Sequence, residues 1–283
     1  MNFEGKTILV VGGGAGIGAA IGVEAARRGA AVVIADLSPK ALKEVSDRIA
    51  EVGGEVHTTE VDIGDDASVA AMARWSVETI GAPDILLVTV IDYMSSFSGL
   101  DDMSIDDWKR SFEVNFFGYI RVLGQLLPAM RERGAGTVVL TASTVALLPD
   151  PTAAVLMRYK TLKHAVLGFS QTLAIALKGS GLSSICFCPS LTATPGAIDN
   201  LRSCQLPAAR YRGHPQDRRG AGGRREVLLR RAGEGTVPDL RARELSRTAR
   251  RVRRRRARSG AVYRQTFPHR RLIDLRTSKR NAP

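Results

Sequence analysis

The sequence predicts an α/β protein: one parallel sheet, doubly wound, with helices on both faces. Three observations carry that expectation. Short runs rich in Val, Ile, Leu and Thr alternate strictly with longer amphipathic runs. Several of the short runs are apolar throughout, as strands covered on both faces must be. A glycine-rich stretch, "VVGGGAGIGAA", joins the first short run to the first long one, where such a sheet turns from strand into helix.

The elements follow in order. "KTILVVGG" (6–13), "AAVVIAD" (30–36), "GEVHTTEVD" (54–62), "DILLVTV" (84–90), "GTVVLTA" (136–142) and "LSSICFC" (182–188) read as strands. Helices are expected over about 16–29, 39–52, 66–80, 104–133 and 155–179. The second shows its limits most openly. Ser38 stands at the N-cap, Pro39 in the first turn, and Gly53-Gly54 at the stop.

At 283 residues the chain can bury one sizeable core with an appendage. No apolar run reaches the roughly 18–20 residues that span a bilayer, and "MNFEGKTILVV" lacks the pattern of a signal peptide. Cys186, Cys188 and Cys204 are too few for a disulfide framework. A cytoplasmic protein without membrane or metal partners is expected.

The formal charge of +13 is unevenly spread. Residues 201–283 hold 25 of the 41 Lys and Arg and 6 of the 28 acids, hence +19, leaving −6 for residues 1–200. The chain therefore reads as a catalytic domain over 1–200 and an anomalous Arg-rich region over 201–283. That region has no sustained period of 2 or 3.6, and 24 of its 25 basic residues are Arg. Phosphate neutralisation needs only positive charge and would use Lys as well. Arginine without lysine points instead to GC-rich codons read one base off, in which GAC becomes CGA, with a frameshift near 198–205. Nucleic acid is not the expected partner, and a genuine basic interaction tail is the rival reading.

Gly12, Gly16 and Gly18 are spaced G-x-x-x-G-x-G between strand and helix. The first makes the tight exit, the second lets a pyrophosphate approach the backbone, and the third lets helix and strand pack closely. The helix N-terminus then presents free N–H groups to phosphate. This is a Rossmann-type dinucleotide site. Asp36, 18 residues after Gly18 at the end of the second strand, suits the adenosine ribose hydroxyls and repels a 2′-phosphate. Neither Ala15 nor Leu37 offers a cation to such a phosphate. The expected cofactor is NAD, with NADP the less favoured choice.

This glycine spacing resembles that of the short-chain dehydrogenase/reductase family, and further motifs follow in the family's order. "YKTLK" holds Tyr159 and Lys163 as Y-x-x-x-K, i and i+4 on one helix face. There a cation is expected to lower the phenol pKa toward the range of a general acid/base. "GTVVLTAST" resembles the strand that ends at the family's serine, here Ser143, and "FEVNFFGYIRV" the helix carrying its asparagine, here Asn115.

The resemblance covers about residues 4–198. It implies that Ser143 orients the substrate oxygen, Tyr159 moves the proton, and Lys163 holds the nicotinamide ribose. The Asn115 side chain would hold a relay water. Asp62 would bond the adenine, with Ile63 beside it. Gly14 and Ile17 would complete the cofactor's glycine turn, while Pro189, Ser190 and Thr194 of "CPSLTAT" would cover the nicotinamide.

Four departures stand out. Val88-Thr89-Val90-Ile91 replaces the family's N-N-A-G and removes a polar tie while keeping a β-run. Val11 stands where threonine is usual, and Ser190 where glycine is. The interval from Ser143 to Tyr159 is long, so "LLPDPTAAVL" suggests an enlarged loop over the site.

The expected function is interconversion of a secondary alcohol and a ketone by hydride transfer. The small-molecule substrate is read as apolar, and the homodimer as formed through helices 104–133 and 155–179. The alternative is a nucleotide-binding relative with impaired turnover, because the family's substrate-side segment is not legible after about residue 200.

Overall fold

The computed structural model describes residues 3–93, 103–147, 156–190 and 192–203. The loop expected over the site falls largely on 148–155, and the Arg-rich region of 201–283 is described only to Ser203; the rest of both, Cys204 included, lies outside the described residues.

Six strands form one wholly parallel sheet: β1 (Thr7–Val11), β2 (Ala31–Asp36), β3 (Glu55–Glu60), β4 (Ile85–Val88), β5 (Gly136–Thr141) and β6 (Leu182–Phe187). Their order is β3-β2-β1-β4-β5-β6. The chain winds outward from β1 to β3, then returns to β1's other side for β4. This reversal opens a crevice beyond the carboxyl ends of β1 and β4, where open α/β sheets bind ligands. The expected doubly wound Rossmann-type architecture is the observed one.

The α-helices among the described residues are α1 (Gly16–Arg27), α2 (Pro39–Glu51), α3 (Asp66–Ile80), α4 (Ile105–Phe112), α5 (Gly118–Arg133), α6 (Met157–Ala176) and α7 (Pro195–Ser203). Period-2 alternation sorts the strand residues between two cores. Ile8, Val10, Val32, Ile34 and Leu87 pack with Ala19, Leu42, Val45 and Ile49 of α1 and α2. Leu9, Val11, Val33, Leu86, Val138 and Leu140 pack on the other face with Met72, Val122, Leu126 and Val166 of α3, α5 and α6. Burial on both faces is why these strands read as continuous apolar runs. Among the described residues β6 is an edge strand, and its Ile185 is 52% exposed.

Three details differ from expectation. The fourth β-run leaves the sheet at Val88 rather than continuing to Val90. Its neighbour β1 turns away at Gly12, where φ is 83°, after the Gly12 N–H has made the last ladder bond to the Ala35 carbonyl at 2.8 Å. The helix expected over 104–133 contains a π-helical turn, Glu113–Phe117, between α4 and α5. Finally, α7 has too short an apolar pattern to announce itself. Thr194 starts it by accepting the Ala197 N–H through Oγ1 at 3.2 Å.

Candidate active site

The crevice holds a cleft of about 650 Å³. Gly12, Gly16, Ile17, Gly18, Asp36, Asp62, Ile63, Tyr159, Lys163, Pro189 and Thr194, all expected from the sequence, line it. A larger cavity of about 870 Å³ runs along α1 and the sheet, where Ile8, Ile21, Leu87 and Val139 make it mainly apolar. The smaller cleft is the candidate site, because the buried titratable groups Tyr159 and Lys163 line it.

The glycine turn is built as its spacing required. A Cβ on Gly12 would lie 2.7 Å from the Val90 nitrogen, and one on Gly18 would lie 2.2 Å from the Gly12 carbonyl oxygen. No side chain larger than hydrogen fits at either place. The Thr194 methyl approaches Gly16 from across the cleft, 3.1 Å from where its Cβ would lie. Ser38, Asp65 and Ser104 cap α2, α3 and α4 through their side chains, whereas α1 begins at Ala15 without a side-chain cap and without an acid in its first turn. Its leading N–H groups are open to an anion.

Asp36 ties this turn to the next crossover. Its carboxylate accepts the Gly14 N–H at 2.9 Å and the Ser38 N–H at 3.1 Å. A carboxylate has about four acceptor positions, so two remain for hydroxyl donors. Leu37 beside it is 66% exposed and brings no charge. Asp62 accepts the Gly64 N–H at 2.8 Å. Ile63 borders the cleft, but its side chain is turned inward against Gly118.

Ser143, Tyr159 and Lys163 come together from β5 and α6. The pairing of β5 with β6 continues past both strand ends: Ala142 N–H donates to the Phe187 carbonyl at 2.8 Å, and Thr144 N–H to that of Pro189 at 3.0 Å. Ser143 is held between them, its Oγ donating to the Pro189 carbonyl at 3.5 Å and accepting the Val145 N–H at 3.4 Å. Lys163, 2% exposed, donates from Nζ to the Thr141 carbonyl at 2.9 Å. Burial pushes its ammonium down to about 8.

Against the expected depression, burial pushes the Tyr159 phenol above its ordinary value, the Ser143 hydroxyl opposes, and the nearby Tyr93 phenol raises it further. The ammonium of Lys163 lies 5.8 Å from the centre of the Tyr159 ring. Spacing put the two residues on one helix face; burial, which spacing does not report, decides the sign.

Asn115 is fully buried in the π turn, and its side chain reaches backbone: Oδ1 accepts the Asp92 N–H at 2.7 Å, while Nδ2 donates to the carbonyls of Asp92 at 3.1 Å and Ser111 at 3.0 Å. Both amide protons are used, so a water could meet this side chain only as a donor to Oδ1. It braces the cleft wall at Asp92 and Tyr93.

Sequence reasoning missed Tyr93 and Tyr119. Tyr93 lines the cleft, and its ring lies 3.0 Å from where a Gly196 Cβ would stand. Tyr119, 1% exposed, donates from its hydroxyl to the Val90 carbonyl at 2.9 Å. Tyr93 stands in no motif, and Tyr119, though within "FEVNFFGYIRV", differs from an ordinary core aromatic only by what its hydroxyl reaches.

Known proteins resemble this chain in sequence and in fold. A family model described as short chain dehydrogenase matches residues 6–203. An uncharacterized oxidoreductase of Thermotoga maritima (strain ATCC 43589 / DSM 3109 / JCM 10099 / NBRC 100826 / MSB8) is 30% identical over 209 residues, 73% of this chain and 80% of the relative. Among solved structures, a 7α-hydroxysteroid dehydrogenase complexed with NADH and 7-oxo glycochenodeoxycholic acid superposes with a TM-score of 0.64 at 25% identity, covering 70% of this chain and 75% of that one. A single-residue variant of actinorhodin polyketide ketoreductase with NADPH gives 0.64 at 26% identity, covering 69% and 73%. No helix among the described residues is long and apolar enough to cross a membrane.

Proposed function

The chain belongs to the short chain dehydrogenase family of oxidoreductases, and from that premise we propose that it interconverts a secondary alcohol and a ketone with NAD as its nicotinamide cofactor. One observation carries the reading. The buried ammonium of Lys163 has a single acceptor among the described residues, the Thr141 carbonyl, and it lies in the same cleft as the uncapped start of α1. A dinucleotide fits both needs. Its pyrophosphate would meet the N–H groups at Gly16–Gly18, and its nicotinamide ribose would take the two donors that Lys163 has left.

Asp36 would accept from the adenosine ribose. With apolar Leu37 beside it, the site disfavours a 2′-phosphate, so NAD is preferred over NADP. Asp62 and Ile63 would border the adenine, and Pro189 and Thr194 the nicotinamide. When bound, the cofactor supplies or takes the hydride. The remaining work falls to this chain. Ser143 Oγ orients the substrate oxygen, and Tyr159 Oη donates a proton to it in reduction or removes one in oxidation. Lys163 holds a positive charge beneath that phenol, while the Asn115 brace keeps the wall at Asp92 and Tyr93 in place.

An apolar cyclic or steroid-like alcohol is the favoured substrate class. Val90, Ile91, Tyr93 and Pro189 are among the residues lining the cleft, Tyr93 is close to the Tyr159 phenol, and the dehydrogenase above was solved with 7-oxo glycochenodeoxycholic acid. A homodimer through the helices within 104–133 and 155–179 belongs to the same reading. Phe117, Ile120 and Ile175 on those segments expose apolar side chains.

The test is NADH formation from NAD with a panel of cyclic secondary alcohols, repeated with Tyr159→Phe. Turnover should fall roughly 10²–10⁴-fold in the variant, with NADH affinity within a few fold. Equal turnover would remove Tyr159 from the mechanism.

A further inference from the structure

Lys163 lies between two tyrosine rings. Its Nζ is 5.8 Å from the centre of Tyr159's ring and 5.9 Å from that of Tyr119. Tyr159 belongs to the proposed chemistry. Tyr119 sits behind it in α5, 1% exposed, and does not line the cleft. Burial pushes its phenol well above the ordinary value, so the hydroxyl keeps its proton and remains a donor.

The acceptor of that hydroxyl, the Val90 carbonyl, lies in the stretch where β4 has already left the sheet. Within Val88-Thr89-Val90-Ile91 no side-chain amide is available to brace the backbone. Yet Val90 is the residue against which Gly12 turns, with its nitrogen 2.7 Å from where a Gly12 Cβ would stand. The Tyr119 hydroxyl therefore braces the wall that the glycine turn rests on. Its ring presents a negative π face within reach of a buried ammonium that has one oxygen acceptor among the described residues.

We propose that Tyr119 is a positioning residue of this site, whose hydroxyl fixes Val90 against the glycine turn and whose ring holds the Lys163 ammonium in place. The proposal rests on the reading of the cleft as a dinucleotide site. It assigns separate jobs to the hydroxyl and the ring, and separate variants expose them. Tyr119→Phe keeps the ring and leaves the Val90 carbonyl without its donor. Tyr119→Leu removes both.

The groups facing Lys163 are the Thr141 carbonyl from β5, Tyr119 from α5, Tyr159 from its own helix, and Cys186 and Cys188 at β6. The first measurement uses the cofactor-free full chain carrying [ε-¹³C]lysine, with the Lys163 resonance identified by its loss in Lys163→Arg. Its titration midpoint by NMR should be near 8 in the parent. Tyr119→Phe should leave the midpoint in place, and Tyr119→Leu should lower it by about half a pH unit, because a face that favours the charged form is lost. If Tyr119→Leu does not fold, Tyr119→Met, which also lacks the ring, replaces it.

The second measurement is NADH affinity by fluorescence titration, where Tyr119→Phe should bind about 5-fold more weakly than the parent. The proposal is overturned if Tyr119→Phe binds NADH as the parent does, or if the ringless variant titrates Lys163 at the parental midpoint, even though both melt lower. Failure of the parent to bind NADH or NADPH would instead overturn the dinucleotide reading, and with it the hydroxyl's role. The NMR midpoint would still decide the role of the ring.

Discussion

The side-chain amide of Asn115 and the backbone of Asp92 pair as neighbouring strands do, with Asp92 N–H donating to Oδ1 at 2.7 Å and Nδ2 donating back to the Asp92 carbonyl at 3.1 Å. A second Nδ2 bond reaches Ser111 within the same helical stretch. The π turn therefore spends its one polar buried side chain on bracing a loop that leaves β4. Asn115→Ala would strand the Asp92 N–H and two carbonyls. A loss on the order of 2–4 kcal/mol in unfolding free energy is expected, together with a raised KM for the alcohol because Tyr93 follows Asp92. Urea denaturation and steady-state kinetics measure the two effects, and an unchanged denaturation midpoint would contradict the brace.

Coenzyme choice should turn on two adjacent residues. Asp36→Ala combined with Leu37→Arg removes a repulsion and adds a phosphate partner. The ratio of kcat/KM for NADP over NAD should rise at least about tenfold. Asp36 also anchors the Gly14 and Ser38 N–H groups, so some loss of overall activity accompanies the switch. A parent protein that already prefers NADP would refute the assignment of Asp36.

Burial of Lys163 makes stability depend on pH. Its folded value is about 8 against an ordinary 10.5. Between these values the unfolded chain holds a proton that the folded chain has released, so stability rises with pH across that window and the penalty is constant below it. In the cofactor-free protein, Lys163→Met removes this dependence. The parent should gain on the variant by an amount on the order of 3 kcal/mol between about pH 8 and 10.5. Urea midpoints at four pH values in that range report it, and a gap that stays flat would show that the ammonium is not desolvated.

The reading-frame proposal for the Arg-rich region is independent of the site. Sequencing the gene across codons 195–210 should reveal a one-base insertion or deletion whose repair yields a tail with ordinary lysine usage. Finding the present frame intact in independent isolates would end that proposal and return the basic interaction tail to consideration.

The strands, most helices and the glycine turn were legible in the sequence because their signals are local. Val and Ile runs covered on both faces, Ser38 before Pro39, and glycines at 12, 16 and 18 each act over a few residues, and the backbone answers them directly. Likewise, four-residue spacing was enough to set Tyr159 and Lys163 one turn apart. What those side chains meet was settled elsewhere. The charge of Lys163 depends on a depth of burial created by α5, β5 and β6 together, and the direction of the Tyr159 shift follows from the same burial. The target of Asn115 is a backbone unit 23 residues away, and that of the Tyr119 hydroxyl is 29 away. Hydrogen bonds of that range are chosen by whichever elements the sheet order brings together. Only the packed tertiary structure could make Tyr119 more than an apolar helix residue, because a phenol becomes a brace only when a buried carbonyl stands within its reach.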